Sequence, residues 1–145
     1  NGEVSTEQGR NLGFTYRGWG MKPSTVLLYA TFTLTRGNKE EIKASCRNYQ
    51  KLRKNNQPLT EHSAGSFFKN PPEQSAGRLI DEAGLKGHSI GGAKISEKHA
   101  NFIVNTGSAS ATDILSLMRL VQNTVFKQFG IKLEPEVHIL GDLEK

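Results

Sequence analysis

Ser110-Ala111-Thr112-Asp113 opens the one stretch of this chain whose pattern admits a single structural reading. Ser110 has the chemistry of a helix N-cap, and Asp113, three residues on, has the carboxylate that can close a capping box. Ile114, Leu117, Met118, Val121, Val125 and Phe129 then recur at the 3.6-residue period, and Gly130 supplies the stop. The spacing predicts a helix of roughly five turns with one apolar face. Such a face has to be buried on something, so the remaining chain must supply a sheet or further helices. With 145 residues there is room for one domain with a real core, or for one domain and a fragment of a second.

The rest of the chain reads as alternating strand and helix signals. Thr25–Thr35 places Leu28, Ala30, Phe32 and Leu34 against Tyr29, Thr31, Thr33 and Thr35, a period of two that predicts a strand. Asn38 is a cap for a helix running to about Asn55, with Ile42, Cys46, Tyr49 and Leu52 on one face. Gln57-Pro58 ends it. Asn70 with Pro71 predicts the start of a helix striped by Ala76, Leu79, Ile80 and Ala83 and stopped by Gly84. On that reading Ser66 stands just before a helix start, and the positive end of the helix dipole faces a basic loop that could receive an anion. Phe102-Ile103-Val104 reads as a short strand. Lys132–Leu140 reads as a closing strand that Pro135 restricts to an edge or a bulge.

Composition narrows the function classes only coarsely. The net charge of +5 suits an anionic partner as well as an ordinary solvated surface. The single Cys46 cannot form an internal disulfide, fits a reducing compartment and reads as buried filler. His62, His88, His99 and His138 have no metal-binding spacing, so no metal is expected. Ser66 lacks the GxSxG frame of a serine hydrolase. The glycines from Gly84 to Gly92 match neither a dinucleotide fingerprint nor a phosphate loop, and read as turns. No apolar run reaches about 18 residues and no secretory leader opens the chain, so a cytoplasmic protein is expected.

Three features could carry chemistry or could be plain surface. Ser66 lies beside two phenylalanines, Lys69 and Asn70. Arg17 follows Tyr16 and offers a planar fork for carboxylate or phosphate. Glu134 and Glu136 flank Pro135.

Taken together, FTYR at Phe14–Arg17, GSFFKNP at Gly65–Pro71, IGGAKISEKHANFIVN at Ile90–Asn105 and LEPEV at Leu133–Val137 resemble the C-terminal part of the UDP-N-acetylenolpyruvoylglucosamine reductase (MurB) family, over about Gly2–Gly141. The family usually has a serine two positions past its arginine, where this chain has Trp19.

The resemblance implies an α+β fold with helices packed on a small mixed sheet, preceded by the last strand or strands of a flavin-binding domain. Residues 1–35 would be the incomplete end of that domain, and residues 36–145 a substrate-binding domain. It implies FAD- and NADPH-dependent reduction of an enolpyruvyl ether on UDP-N-acetylglucosamine, the UDP-N-acetylmuramate dehydrogenase step of peptidoglycan precursor synthesis, and through it a part in cell wall biogenesis, cell shape and division. Arg17 and Glu136 would polarise the substrate, and Ser66 would donate a proton to carbon. Tyr16, Lys54, Asn70 and His99 would line the substrate site. The partners implied are the UDP-sugar, NADPH and an upstream flavin-binding half, without nucleic acid or membrane, and the chain alone is expected to be inactive. Two other readings stand beside this one. Gly84-Leu85-Lys86-Gly87 resembles the GXXG loop of KH domains and would suit RNA, and a partner-binding relic could keep the motifs without catalysis.

Overall fold

The structure, a computed structural model, describes residues 2–141. The chain forms two compact units, the first ending at Gly37 and the second beginning at Asn38.

The first unit has a 3-10 turn at Gly9–Asn11 and a tight turn in which Thr15 and Gly18 pair. The strand expected at Thr25–Thr35 is not formed. The segment takes no regular secondary structure, and Val26, Leu28, Phe32 and Leu34 are exposed. The alternation is genuine, but a strand exists only through hydrogen bonds to a neighbour, and the described residues supply none.

The second unit is α+β. Its elements are α1 (Lys39–Asn56), β1 (His62–Ser66), α2 (Ala76–Glu82), β2 (Ser89–Ile90), β3 (Ala93–Ile95), β4 (Phe102–Asn105) and α3 (Ala111–Phe129). The four strands lie in the order β1-β4-β3-β2, and every pairing is antiparallel. The sheet is therefore antiparallel and not mixed. Strands β2, β3 and β4 follow one another through connections too short for the crossover that a parallel pair requires.

Helix α3 starts and stops where its sequence signals lie. The Ser110 hydroxyl accepts from Asp113 N–H, the Asp113 carboxylate accepts from Ser110 N–H, and Gly130 takes the left-handed conformation at the end. It packs on β2, β3 and α2 and buries Leu117, Met118, Val121 and Val125, each contributing about 1.5–3 kcal/mol for full burial of a large apolar side chain. The core is completed by Leu79 and Ile80 of α2, by Ala93, Ile95 and Ile103 of the sheet, and by Phe67, Phe68, Leu85 and Leu133 from the connections.

Helix α1 forms over the expected range, but none of its residues is buried, and Cys46 is exposed instead of filling a core. Helix α2 begins later than Asn70 and Pro71 suggest. Pro71 to Gln74 is a turn, and Glu73 has φ +59, a left-handed conformation that interrupts any right-handed helix, so Ser75 becomes the N-cap. The KH-like reading fails here too. Gly84-Leu85-Lys86-Gly87 leads into the β2–β3 hairpin and not into a helix, and Lys86 Nζ is held 2.5 Å from Asp81 Oδ2.

Candidate active site

Ser66 closes β1, and an irregularity places it there. His62 and Ser63 pair with Asn105 and Val104, whereas Ser66 pairs with Phe102, so β1 carries one more residue than β4 between these points. This is a β-bulge. Gly65 has φ +84 within it and a Cβ there would meet nothing, so glycine is required for its backbone angle and not for space. Ser66 is thus presented by a bulged strand end and not by a helix approach, and it is partly buried.

Beyond Ser66 the chain crosses the core. Phe67 and Phe68 are both buried, their rings edge to face at 5.4 Å. Their backbone polar groups, in dry surroundings, all need partners, and each has one. Phe67 N–H donates to Asn101 O (2.8 Å), and Phe67 O accepts from Glu136 N–H (2.8 Å). Phe68 N–H donates to Asn101 Oδ1 (2.9 Å), and Phe68 O accepts from Asn101 Nδ2 (2.8 Å). The next amide, Lys69 N–H, donates to Glu134 O (2.8 Å).

The bonds from Glu136 and to Glu134 form a single antiparallel bridge with Phe68 opposite Pro135. Lys132–Leu140 is therefore one bridge and not a strand. Pro135 occupies the pair whose own N–H faces away from the partner, where the missing donor costs nothing. The ladder brings Glu136 against the backbone beside Ser66 and holds Lys69 Nζ 3.3 Å from Glu134 Oε2. Glu136 is partly buried, with Oε2 fully enclosed. A hydroxyl, a half-buried carboxyl and the Asn70 amide are thus carried by two adjoining backbones tied into the core.

Asn70 does cap α2, but from a distance, since its Oδ1 accepts from Ala76 N–H at 3.0 Å while Ser75 Oγ accepts from Arg78 N–H at 3.4 Å. The start of α2 is thus occupied by its own loop, and the dipole-anion expectation loses its basis. His99 stands behind this loop. Its Nδ1 accepts from Asn101 N–H at 3.3 Å, its ring meets Phe102 at 4.9 Å, and Gly77 lies so close that a Cβ would stand 3.1 Å from His99 Cε1. Burial, and next the charge of Lys86, push the His99 pKa below its ordinary value, in keeping with an accepting, neutral Nδ1. Lys54 is exposed on the last turn of α1, where its carbonyl accepts from Lys98 Nζ at 3.3 Å. That bond ties it to Lys98 and not to the Ser66 loop.

Tyr16 and Arg17 form their own arrangement in the first unit. They occupy the tip of the Thr15–Gly18 turn, with the guanidinium 5.7 Å from the Tyr16 ring centroid. Arg17 has φ +56, a conformation uncommon outside glycine and enriched where function overrides backbone preference. Gly18 is close-packed, since a Cβ would lie 2.7 Å from Thr15 Oγ1, and Gly20 likewise, 2.8 Å from Leu12 O.

The glycine pairs Gly18–Gly20 and Gly91–Gly92 are not open cradles for a dinucleotide phosphate. Beside the packed Gly18 and Gly20, Gly91 and Gly92 make the β2–β3 turn, where a Cβ would run into the Asp113 carboxylate and the Ala109 backbone respectively. These four glycines do not fit the pyrophosphate of a flavin dinucleotide. Among them no group of three His, Cys, Asp or Glu could hold a metal ion, and no helix is long and apolar enough to cross a membrane. The residue that sequence reasoning passes over is Asn101, buried yet polar; an asparagine ahead of a strand looks like any turn residue.

Comparison with known proteins bears directly on this arrangement. The model of the UDP-N-acetylenolpyruvoylglucosamine reductase C-terminal domain matches residues 57–140. The chain is 51% identical over 117 residues to the UDP-N-acetylenolpyruvoylglucosamine reductase of Caldanaerobacter subterraneus, covering 81% of this chain and 39% of the relative. It is 47% identical over 142 residues to that of Caldicellulosiruptor bescii, covering 95% and 45%. The crystal structure of the reductase (MurB) from Thermus caldophilus superposes with a TM-score of 0.74 at 46% identity, covering 88% of this chain and 46% of that one. The chain spans less than half the length of these relatives.

Proposed function

This chain belongs to the UDP-N-acetylenolpyruvoylglucosamine reductase family, and from that premise we propose that it is the C-terminal, substrate-handling part of an enzyme reducing UDP-N-acetylglucosamine enolpyruvate to UDP-N-acetylmuramate. The activity would serve peptidoglycan precursor synthesis in the cytoplasm. Residues 1–35 belong on this reading to the end of a flavin-binding domain, and residues 36–145 to the substrate domain. On this reading FAD is held by upstream segments and NADPH serves as its reductant, and the close packing of Gly18, Gly20, Gly91 and Gly92 supports the absence of a phosphate cradle at those glycines.

The observation that carries the reading is the bridge of Phe68 with Pro135, which brings the Ser66 loop and Glu136 onto one ladder. An enolpyruvyl ether accepts a hydride at its terminal carbon, and charge moves toward its carboxylate. Glu136 and Arg17 polarise that carboxylate as preorganised electrostatic groups. The Ser66 hydroxyl gives its proton to the adjacent carbon, and Tyr16, Asn70, His99 and Lys54 bind and orient the UDP-sugar. Positioned general acids contribute about 10²–10⁴-fold in rate. In the full-length enzyme that carries this chain, Ser66→Ala should leave reduction of bound flavin by NADPH near normal and slow substrate reduction by about that factor, measured by stopped flow for each half-reaction. Unchanged substrate reduction in Ser66→Ala would remove the proton-donor role.

A further inference from the structure

We propose that Asn101 is a positioning residue for the Ser66 proton donor, a role that rests on the function proposed above. Three of its polar groups are spent on two consecutive residues. Its main-chain carbonyl takes Phe67 N–H, and its side-chain amide brackets Phe68, accepting from the N–H and donating to the carbonyl. The side chain thereby acts as an inserted peptide unit, doing for Phe68 what a neighbouring strand would do. Asn101 stands in the turn immediately before β4, where the pairing of β1 with β4 ends at Ser66 and Phe102, so Phe68 lies beyond the regular ladder and the asparagine amide spans the gap. On the opposite side, the backbone of Glu134 and Glu136 holds the same segment. Ser66 enters this clamp and Asn70 leaves it.

The clamp is dry. Phe68 is 2% exposed and Asn101 4%, so water cannot replace a bond that is removed. His99 fixes Asn101 in turn by accepting its N–H. Letting the Phe67–Phe68 backbone move would displace the Ser66 hydroxyl without touching substrate, and a misplacement of about 1 Å costs on the order of 10²-fold in rate.

The test uses the full-length enzyme with Asn101→Asp and Asn101→Leu. Asp keeps the acceptor for Phe68 N–H and sets an oxygen against its carbonyl, whereas Leu removes both bonds at similar size. Substrate reduction should slow by about 10–10²-fold for Asp and more for Leu, with kcat and kcat/KM falling together and flavin reduction by NADPH unchanged. In a Ser66→Ala background neither change should slow the reaction further, because the group they position is gone. Losses that simply multiply with that of Ser66→Ala would overturn the proposal, as would wild-type rates in folded Asn101→Asp. If neither variant accumulates as folded protein, the residue is structural and the proposal fails. Loss on Ser66→Ala with none on the Asn101 changes sinks this inference alone; no loss on Ser66→Ala sinks the function reading beneath it.

Discussion

Helices α1 and α3 have nearly the same length, 18 and 19 residues, and nearly the same sequence logic, yet only one of them buries its stripe. Each starts at a side-chain cap: Asn38 accepts from Glu40 and Glu41 N–H, and Ser110 accepts from Asp113 N–H. Each repeats apolar residues on one face. Helix α3 nevertheless buries four of them against β2, β3 and α2, while Ile42, Tyr49 and Leu52 of α1 are 48–66% exposed. Caps and period decide that a helix forms. Whether its stripe contributes to stability depends on the surface opposite, which no local pattern encodes.

The largest effect expected from this contrast is at Leu117. Leu117→Ala should destabilise the second unit by about 2–5 kcal/mol, read as a shift of the urea unfolding midpoint at unchanged slope.

A smaller difference lies in how the two helices start. The Asp113 carboxyl is held below the usual carboxylate range first by Ser110 N–H, then by Gly92 N–H and the Ser110 hydroxyl. A depressed folded pKa means that its stabilisation is fully present above the ordinary carboxylate value and is lost as pH falls through the lowered one. Below about pH 4, the Gly92 amide and the first turn of α3 should therefore lose hydrogen-exchange protection. The Asn38 cap of α1 has no proton to gain and should hold its bond. Equal loss at both starts would erase the distinction.

The smallest effect is expected at Leu52, where Leu52→Ala in this chain should change stability by no more than about 0.5 kcal/mol in the same urea experiment. A cost approaching that of Leu117→Ala would show α1 to be packed in solution and break the comparison outright.

What could be read from sequence follows the same division. Helix α3 was legible from Ser110 to Gly130 because its cap, period and stop are all local. The start of α2 was not, because Asn70 and Pro71 are good helix-start residues and nothing beside them announces the left-handed Glu73. Thr25–Thr35 has a strand's alternation but no ladder among the described residues, so pattern outran structure there. In the candidate site, the motifs named Ser66 and Glu136 separately, and only the long-range bridge through Pro135 ties Glu136 to the backbone of the residue after Ser66. Asn101 stayed hidden because its value lies in satisfying a backbone far along the chain. Lys54 was placed by resemblance, and its exposed position on α1 gives that placement no geometric support.

The bulge at Gly65 has a consequence for how this region tolerates change in length. Because side chains alternate faces along a strand, one additional residue is a phase shift, and everything after it is carried on the opposite face from the one uninterrupted pairing would assign. The extra residue in β1 sets that phase for Ser66, Phe67 and Phe68 together. Substitutions at Ala64, exposed in β1, change only what is displayed there. An insertion or deletion that the bulge does not absorb would shift the register by one and exchange core-facing and site-facing positions for the whole motif. For this strand, spelling is negotiable and the number of letters is not.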